Sequence, residues 1–245
     1  MALKPLDNLS RMEYPGRVII IGLDPSGSRC LVIYAITGRS PSSQARRLEQ
    51  REGGIWVQPT DEETLKKGNV DLLVYPALQF GRGIAVSNGK QTTDIHRWIS
   101  ASDDPVNVLS SSLAYWDYEP DAPIFTPRIS GCVLPGFKAG LSIIKRGRQA
   151  AALKNFYAFS LEQGWGKLVA TYAGPNVHPL PVFAGDPQEI ELGEKNASDM
   201  AEAVYESLKP ASPEEDIRVS VACVCSDLLH PEGDEVFIIN RKERT

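Results

Sequence analysis

The stretch that most limits how this chain can fold is "RVIIIGLDPSGSRCLVIYAITG", Arg17 to Gly38. Two β-branched runs flank a "DPSGS" segment. Branched side chains favour extended backbone, whereas Gly, Pro and Ser favour a tight reversal. The stretch therefore reads as a β-hairpin. The same pattern recurs along the chain. "GGIWVQPT" and "DLLVYPALQFGRGIAVSNG" read as strands broken at Gly and Pro. "RISGCVLPGFKAGLSIIKRG" reads as a second hairpin and "NFYAFSLEQGWGKLVATYAG" as a third pair of strands, around Gly164 and Gly166. "RVSVACVC" and "EVFIINRK" supply the last two. Helical signals are fewer. Asp104 and Pro105 form an N-cap and first-turn proline ahead of Val106, Leu109, Leu113 and Trp116, spaced three or four residues apart. "ASDMAEAVYESLKP" is a second helix, capped by Asn196 or Ser198. Strands that arrive as hairpins, with few helices between them, indicate an α+β fold. Nothing in the middle reads as a linker, so residues 1–245 are expected to form one domain.

Charge narrows the function. A net charge of −5 argues against a nucleic-acid or membrane-surface role, which calls for a basic face. No apolar run reaches the ~18 residues of a membrane span, and "MALKPLDNLSRMEYPG" lacks a leader's apolar segment. Scattered Cys30, Cys132, Cys223 and Cys225 fit reduced thiols and a cytoplasmic location. Cys223 and Cys225 share one strand face, but two thiols do not complete a metal site, and no metal is expected.

Polar groups gather where strands end. In "TGRSPSSQARR", Arg39 offers a planar fork suited to phosphate or a carbonyl oxygen, with Ser40, Ser42 and Ser43 beside it. A flexible surface loop explains the same composition. Tyr75 ends an apolar run as a donor or acid, or as a packing residue. Asn88 and Gly89 make either a ligand contact or a type I′ hairpin turn. In "DYEPDAPIFTPRISG", prolines at 120, 123 and 127 exclude helix. Extended backbone would then place Asp117, Glu119 and Asp121 on one face, either for acid–base work or as a solvated acidic loop paired with Arg128. The chain carries no nucleophile elbow, P-loop or dinucleotide fingerprint. His96 and His178 read as structural.

Taken in order, these segments resemble the inosine monophosphate (IMP) cyclohydrolase family, in its archaeal-type form with bacterial relatives. "YPGRVIIIG" resembles its Y-x-G-R strand, "ITGRSPSSQARR" its R-S-x-x-x-x-R loop and "VSNGKQTTD" its T-N-G-x-x-T-D turn. "DYEPDAPIFTPRISG" resembles the D-Y-E-x-D and T-P-R-I signature, and "TYAGPNVHPLPVFAGDP" the bacterial closing loop. Departures fall at Pro76, Gln44 and Ala45, where relatives tend to carry other residues, and at Thr93, an extra Thr before Asp94.

The resemblance implies a four-layer αββα sandwich, similar to N-terminal-nucleophile hydrolases but without their terminal nucleophile. It implies ring closure of 5-formamidoimidazole-4-carboxamide ribonucleotide to IMP and water, with no cofactor, in a homo-oligomer that binds a purine nucleotide. It also implies roles. Arg39 stabilises charge on the formyl oxygen, Tyr75 is a donor or acid there, and Glu119 orients or deprotonates the carboxamide. Asn88, Gly89 and Asp94 hold base or ribose. Arg46, Arg47 and Arg128, with Ser40, take the 5′-phosphate, and Asp121 orients an arginine. A related cyclohydrolase or amidohydrolase acting on another imidazole or purine-like nucleotide, or a non-catalytic nucleotide-binding relative, would share these features.

Overall fold

The computed structural model describes residues 6–61, 63, 70–194, 196–210, 216–230 and 233–244. The opening hairpin forms as the sequence predicts. β1 (Arg17–Leu23) pairs antiparallel with β2 (Cys30–Thr37), in register from Arg17 opposite Ile36 to Leu23 opposite Cys30. Every residue of β2 is buried. A continuous apolar run is what a strand covered on both faces requires.

This hairpin is the centre of a six-stranded antiparallel sheet. On one side lie β10 (Trp165–Ala170) and β11 (Gln188–Glu191), and on the other β12 (Arg218–Ser226) and β13 (Glu235–Asn240). A second, seven-stranded antiparallel sheet runs in chain order. Its members are β3 (Arg46–Arg51), β4 (Gly54–Pro59), β5 (Tyr75–Phe80), β6 (Ile84–Ser87), β7 (Arg128–Leu134), β8 (Lys138–Arg146) and β9 (Ala152–Ser160). The described helices are α1 (Asp7–Ser10), α2 (Pro41–Gln44), α3 (Val70–Leu73), α4 (Gln91–Ile99), α5 (Pro105–Ser112) and α6 (Ala197–Ser207). The fold is α+β, as expected. No helix among the described residues is long and apolar enough to cross a membrane.

Alternation sorts the side chains of the second sheet. Val86, Ile129, Val133, Leu141 and Ile143 join the main core with residues of the first sheet. Ala85, Cys132, Leu134 and Ile144 point the other way, against Ile95 and Ile99 of α4 and Val108 and Leu109 of α5. Successive residues serve opposite faces because the strand period is two. Helix α6 packs instead on β12, β13 and β2. The sheets pack closely at Gly131, where an added Cβ would stand 2.7 Å from Ile21 Cδ1. Asp104 caps α5, its carboxylate accepting from the Asn107 N–H at 2.9 Å. Asn196 caps α6, accepting from the Asp199 N–H at 2.8 Å.

Two expectations need correction, and one strand went unread. β9 and β10 are not partners: β9 pairs with β8 as an edge of one sheet, and β10 with β1 inside the other. Their burial differs accordingly. β9 alternates between half-buried and exposed, whereas Leu168, Val169 and Ala170 are fully buried. β3, "RRLEQR", carries no strand signal in its polar sequence; pairing with β4 and the burial of Leu48 make it a strand. Asn88–Gly89 does not close a hairpin; β6 ends there and α4 begins three residues later.

The two sheets are joined at their edges by one side chain. Asn240, at the end of β13, accepts from the Leu48 N–H at 2.9 Å and donates to the Leu48 carbonyl at 3.0 Å. Ser220 Oγ also donates to it, at 2.7 Å. Asn240→Ala leaves both backbone groups of Leu48 without these partners. It should lower unfolding free energy by about 2–3 kcal/mol, read as a lower urea midpoint at unchanged m-value.

Candidate active site

Three segments that the sequence separates widely converge on a cleft of about 560 Å³. They are the loop from β2 to β3, the proline-bearing loop before β7, and the stretch after β10. Arg17, the one charged residue of β1, reaches the floor and donates to the Thr37 carbonyl at 2.9 Å. Tyr75, at the start of β5, lies beside it with its hydroxyl 3.0 Å from that of Tyr34 on β2. Both phenols are buried, and burial holds the Tyr34 hydroxyl well above the usual phenol range. Arg46, first residue of β3, also faces the cleft. Its Nε is shut off from solvent and has no hydrogen-bond partner among the described residues.

Glu119 also lines the cleft. Its loop is pinned: the Glu119 N–H donates to the Thr126 carbonyl at 2.9 Å, and Asp121 accepts from the Thr126 N–H at 2.7 Å. The Thr126 hydroxyl bonds Asp121 and lies 2.9 Å from the Tyr172 hydroxyl. Glu119 Oε1 accepts from Asn88 Nδ2 at 3.2 Å. Oε2 accepts no hydrogen bond among the described residues. Burial pushes the Glu119 carboxyl up to about 7, with Asp121 adding to the rise and Arg128, Arg17 and Arg46 opposing it. A carboxyl poised there can take or give a proton near neutrality.

The mouth has a different character. Arg39 stacks on the Tyr14 ring, 4.7 Å from its centroid, and donates to Asn176 Oδ1 at 2.7 Å. It is half-buried, and Ser40, Ser42 and Ser43 sit beside it in the wall. This end presents a cation and hydroxyls to solvent, a combination suited to an anionic group.

The cleft thus gathers Arg39, Ser40, Arg46, Tyr75, Asn88, Glu119 and Asp121. The other predicted residues lie elsewhere. Arg47 points outward from β3 because it alternates with Arg46, and it pairs with Glu49 at 3.2 Å. Asp94 is taken by the Trp116 indole, which donates to it at 2.9 Å. Arg128 and Gly89 stand behind Glu119, outside the lining. Asp121 orients Thr126 rather than an arginine. Gln44 and Ala45 hold structure instead of lining the cleft: Gln44 donates to the Gly38 carbonyl at 3.1 Å and accepts from Arg241, and Ala45 is buried. Pro76 is buried where the β4–β5 pairing shifts register, as a residue without an N–H demands.

Arg17, Tyr14, Tyr172 and Thr126 escaped the sequence reading as site residues. A lone cation opening an otherwise apolar strand was the usable signal for Arg17. Among the described residues, no group of three or more His, Cys, Asp or Glu side chains is placed to hold a metal.

Comparison with known proteins places the chain by its sequence. The profile of the IMP cyclohydrolase-like protein family matches residues 14–227. An IMP cyclohydrolase from Methanothrix thermoacetophila is 29% identical over 178 residues, covering 72% of this chain and 83% of that protein.

The buried carboxyl makes stability depend on pH. Its folded value lies above the unfolded 4.5, so the contribution of Glu119 to stability is greatest below 4.5 and falls as pH rises to about 7, then levels off. Glu119→Gln removes that loss. The variant should gain on wild type by roughly 2–3 kcal/mol across this window, measured by urea unfolding at a series of pH values in buffers without phosphate.

Proposed function

The chain belongs to the IMP cyclohydrolase-like protein family, and we propose that it closes 5-formamidoimidazole-4-carboxamide ribonucleotide to IMP with release of water. The observation that carries this reading is a largely buried Glu119, its Oε2 accepting no hydrogen bond among the described residues, in the lining of a mononucleotide-sized cleft that also holds Arg17, Arg46 and Tyr75. The volume lies within the range of small-molecule sites, about 300–1,000 Å³. The order of the sheets and their helices supports a four-layer αββα sandwich acting as one catalytic domain.

The reaction is intramolecular, so holding the two arms of the imidazole together removes most of the entropic barrier. What remains is proton movement at a poor nucleophile. Glu119 takes a proton from the carboxamide nitrogen as that nitrogen attacks the formyl carbon. The formyl oxygen, held by Tyr75 and the unpartnered Arg46, gains charge, collects a proton and becomes a hydroxyl. That hydroxyl departs as water on taking a second proton, while the formamido nitrogen gives up its own to complete the new C=N bond. The purine nitrogen derived from the carboxamide keeps its remaining hydrogen.

We assign the 5′-phosphate to the mouth, where Arg39 meets the serines. This exchanges the roles that the family resemblance implied for Arg39 and Arg46, because Arg39 is half-exposed and Arg46 faces the phenols.

Ultraviolet absorbance of IMP formation tests both points. Wild-type protein should turn over the formamido nucleotide, and Glu119→Gln should lose about 10²-fold or more in kcat. Arg39→Ala should raise KM about tenfold or more with kcat held within a few-fold. A loss confined to kcat would return Arg39 to the formyl oxygen. Binding of IMP without turnover of the formamido nucleotide would instead point to a binding protein or to another substrate.

A further inference from the structure

Arg128 opens β7, yet its guanidinium is kept away from the cleft. Nε donates to the Asp117 carbonyl at 2.8 Å and Nη1 to Gln91 Oε1 at 3.0 Å, and the group lies over the Trp116 ring, 4.9 Å from its centroid. Nη1 is 3.9 Å from Glu119 Oε1, and neither side chain is more than 12% exposed. Asn88 completes the surround. It donates to the same Oε1 and to the Pro127 carbonyl, and it accepts from Gln91 Nε2 at 3.2 Å and the Ile129 N–H at 2.9 Å. Space for the guanidinium depends on Gly89, where a Cβ would stand 2.6 Å from Nη1.

We propose that Arg128 is a positioning residue: it does not touch the substrate, and it acts on the reaction as a locked, buried counter-charge behind Glu119 Oε1 that leaves Oε2 turned to the cleft. This rests on Glu119 being the proton acceptor of the proposed reaction. The other groups that bear on the carboxyl are Arg17 from β1, Arg46 from β3, Asp121 on its own loop and the Tyr172 hydroxyl. Arg128 heads the cations among them, since its charge opposes the burial of Glu119 more than Arg17 or Arg46 does. Asp117 and Gln91 hold Nε and Nη1 and the indole carries the plane of the group, which fixes Arg128 outside the cleft lining; Nη2 donates to no described residue.

The test compares wild type with Arg128→Met, Arg128→Lys and Gly89→Ala. Without the counter-charge Glu119 ionises later, so in Arg128→Met the acid limb of the kcat/KM–pH profile should move to higher pH by about one unit or more. Arg128→Lys should stay near wild type. Gly89→Ala should shift in the same direction as Arg128→Met, because its methyl displaces Nη1. KM measured above the limb should hold. A KM raised at every pH with the limb in place would make Arg128 a substrate contact and overturn the proposal, as would an unmoved limb in both Arg128→Met and Gly89→Ala.

A second arm needs no turnover. The pH dependence of unfolding free energy is measured in each background with and without Glu119→Gln, and the window assigned to Glu119 should move upward in Arg128→Met. Absence of cyclohydrolase activity would then remove the function while this arm still decides the role of Arg128. If Arg128→Met fails to fold, Gly89→Ala decides both arms, with no upward shift counting against the proposal.

Discussion

A carboxylate removed from water costs several kcal/mol unless other groups answer its charge. Glu119 is answered in part. Asn88 takes one oxygen, Arg128 stands behind it, and Arg17 and Arg46 face it across the cleft. Burial still prevails, which is why the group sits near neutrality instead of in the ordinary carboxylate range. The surrounding fold maintains this balance. Arg17 and Arg46 begin strands of different sheets, and the loop carrying Glu119 is tied through Asp121, Thr126 and Tyr172. Loosening any of these would let water in, and the carboxyl would relax to an ordinary acid.

Much of this was legible in the residues. The hairpins announced themselves because branched residues and turn residues alternate in long blocks. Asp104 and Asn196 marked helix starts because their side chains satisfy backbone donors locally. Glu119 and Tyr75 stood out as polar groups on a stiff loop and at a strand end. In each case the cause lies within a few residues of the effect.

What escaped depends on distance in the chain. β3 is polar, and only Leu48 together with the backbone of β4 makes it a strand. The separation of β9 from β10 follows from which neighbour covers each face, and spacing does not record that. Arg47 and Arg46 are adjacent and chemically alike, and one step of the pleat sends them to opposite sides. Composition also cannot show that Gln91 and Trp116 hold the Arg128 guanidinium behind Glu119.

The Asn240 link between the sheet edges bears on how the protein is made. A ribosome synthesises Arg17, Arg46, Tyr75 and Glu119 well before Asn240. The strand that begins at Arg46 gains this tether only when residue 240 has emerged, 192 positions after Leu48. A nascent chain therefore carries Arg46 and Glu119 long before this link between the sheet edges can form.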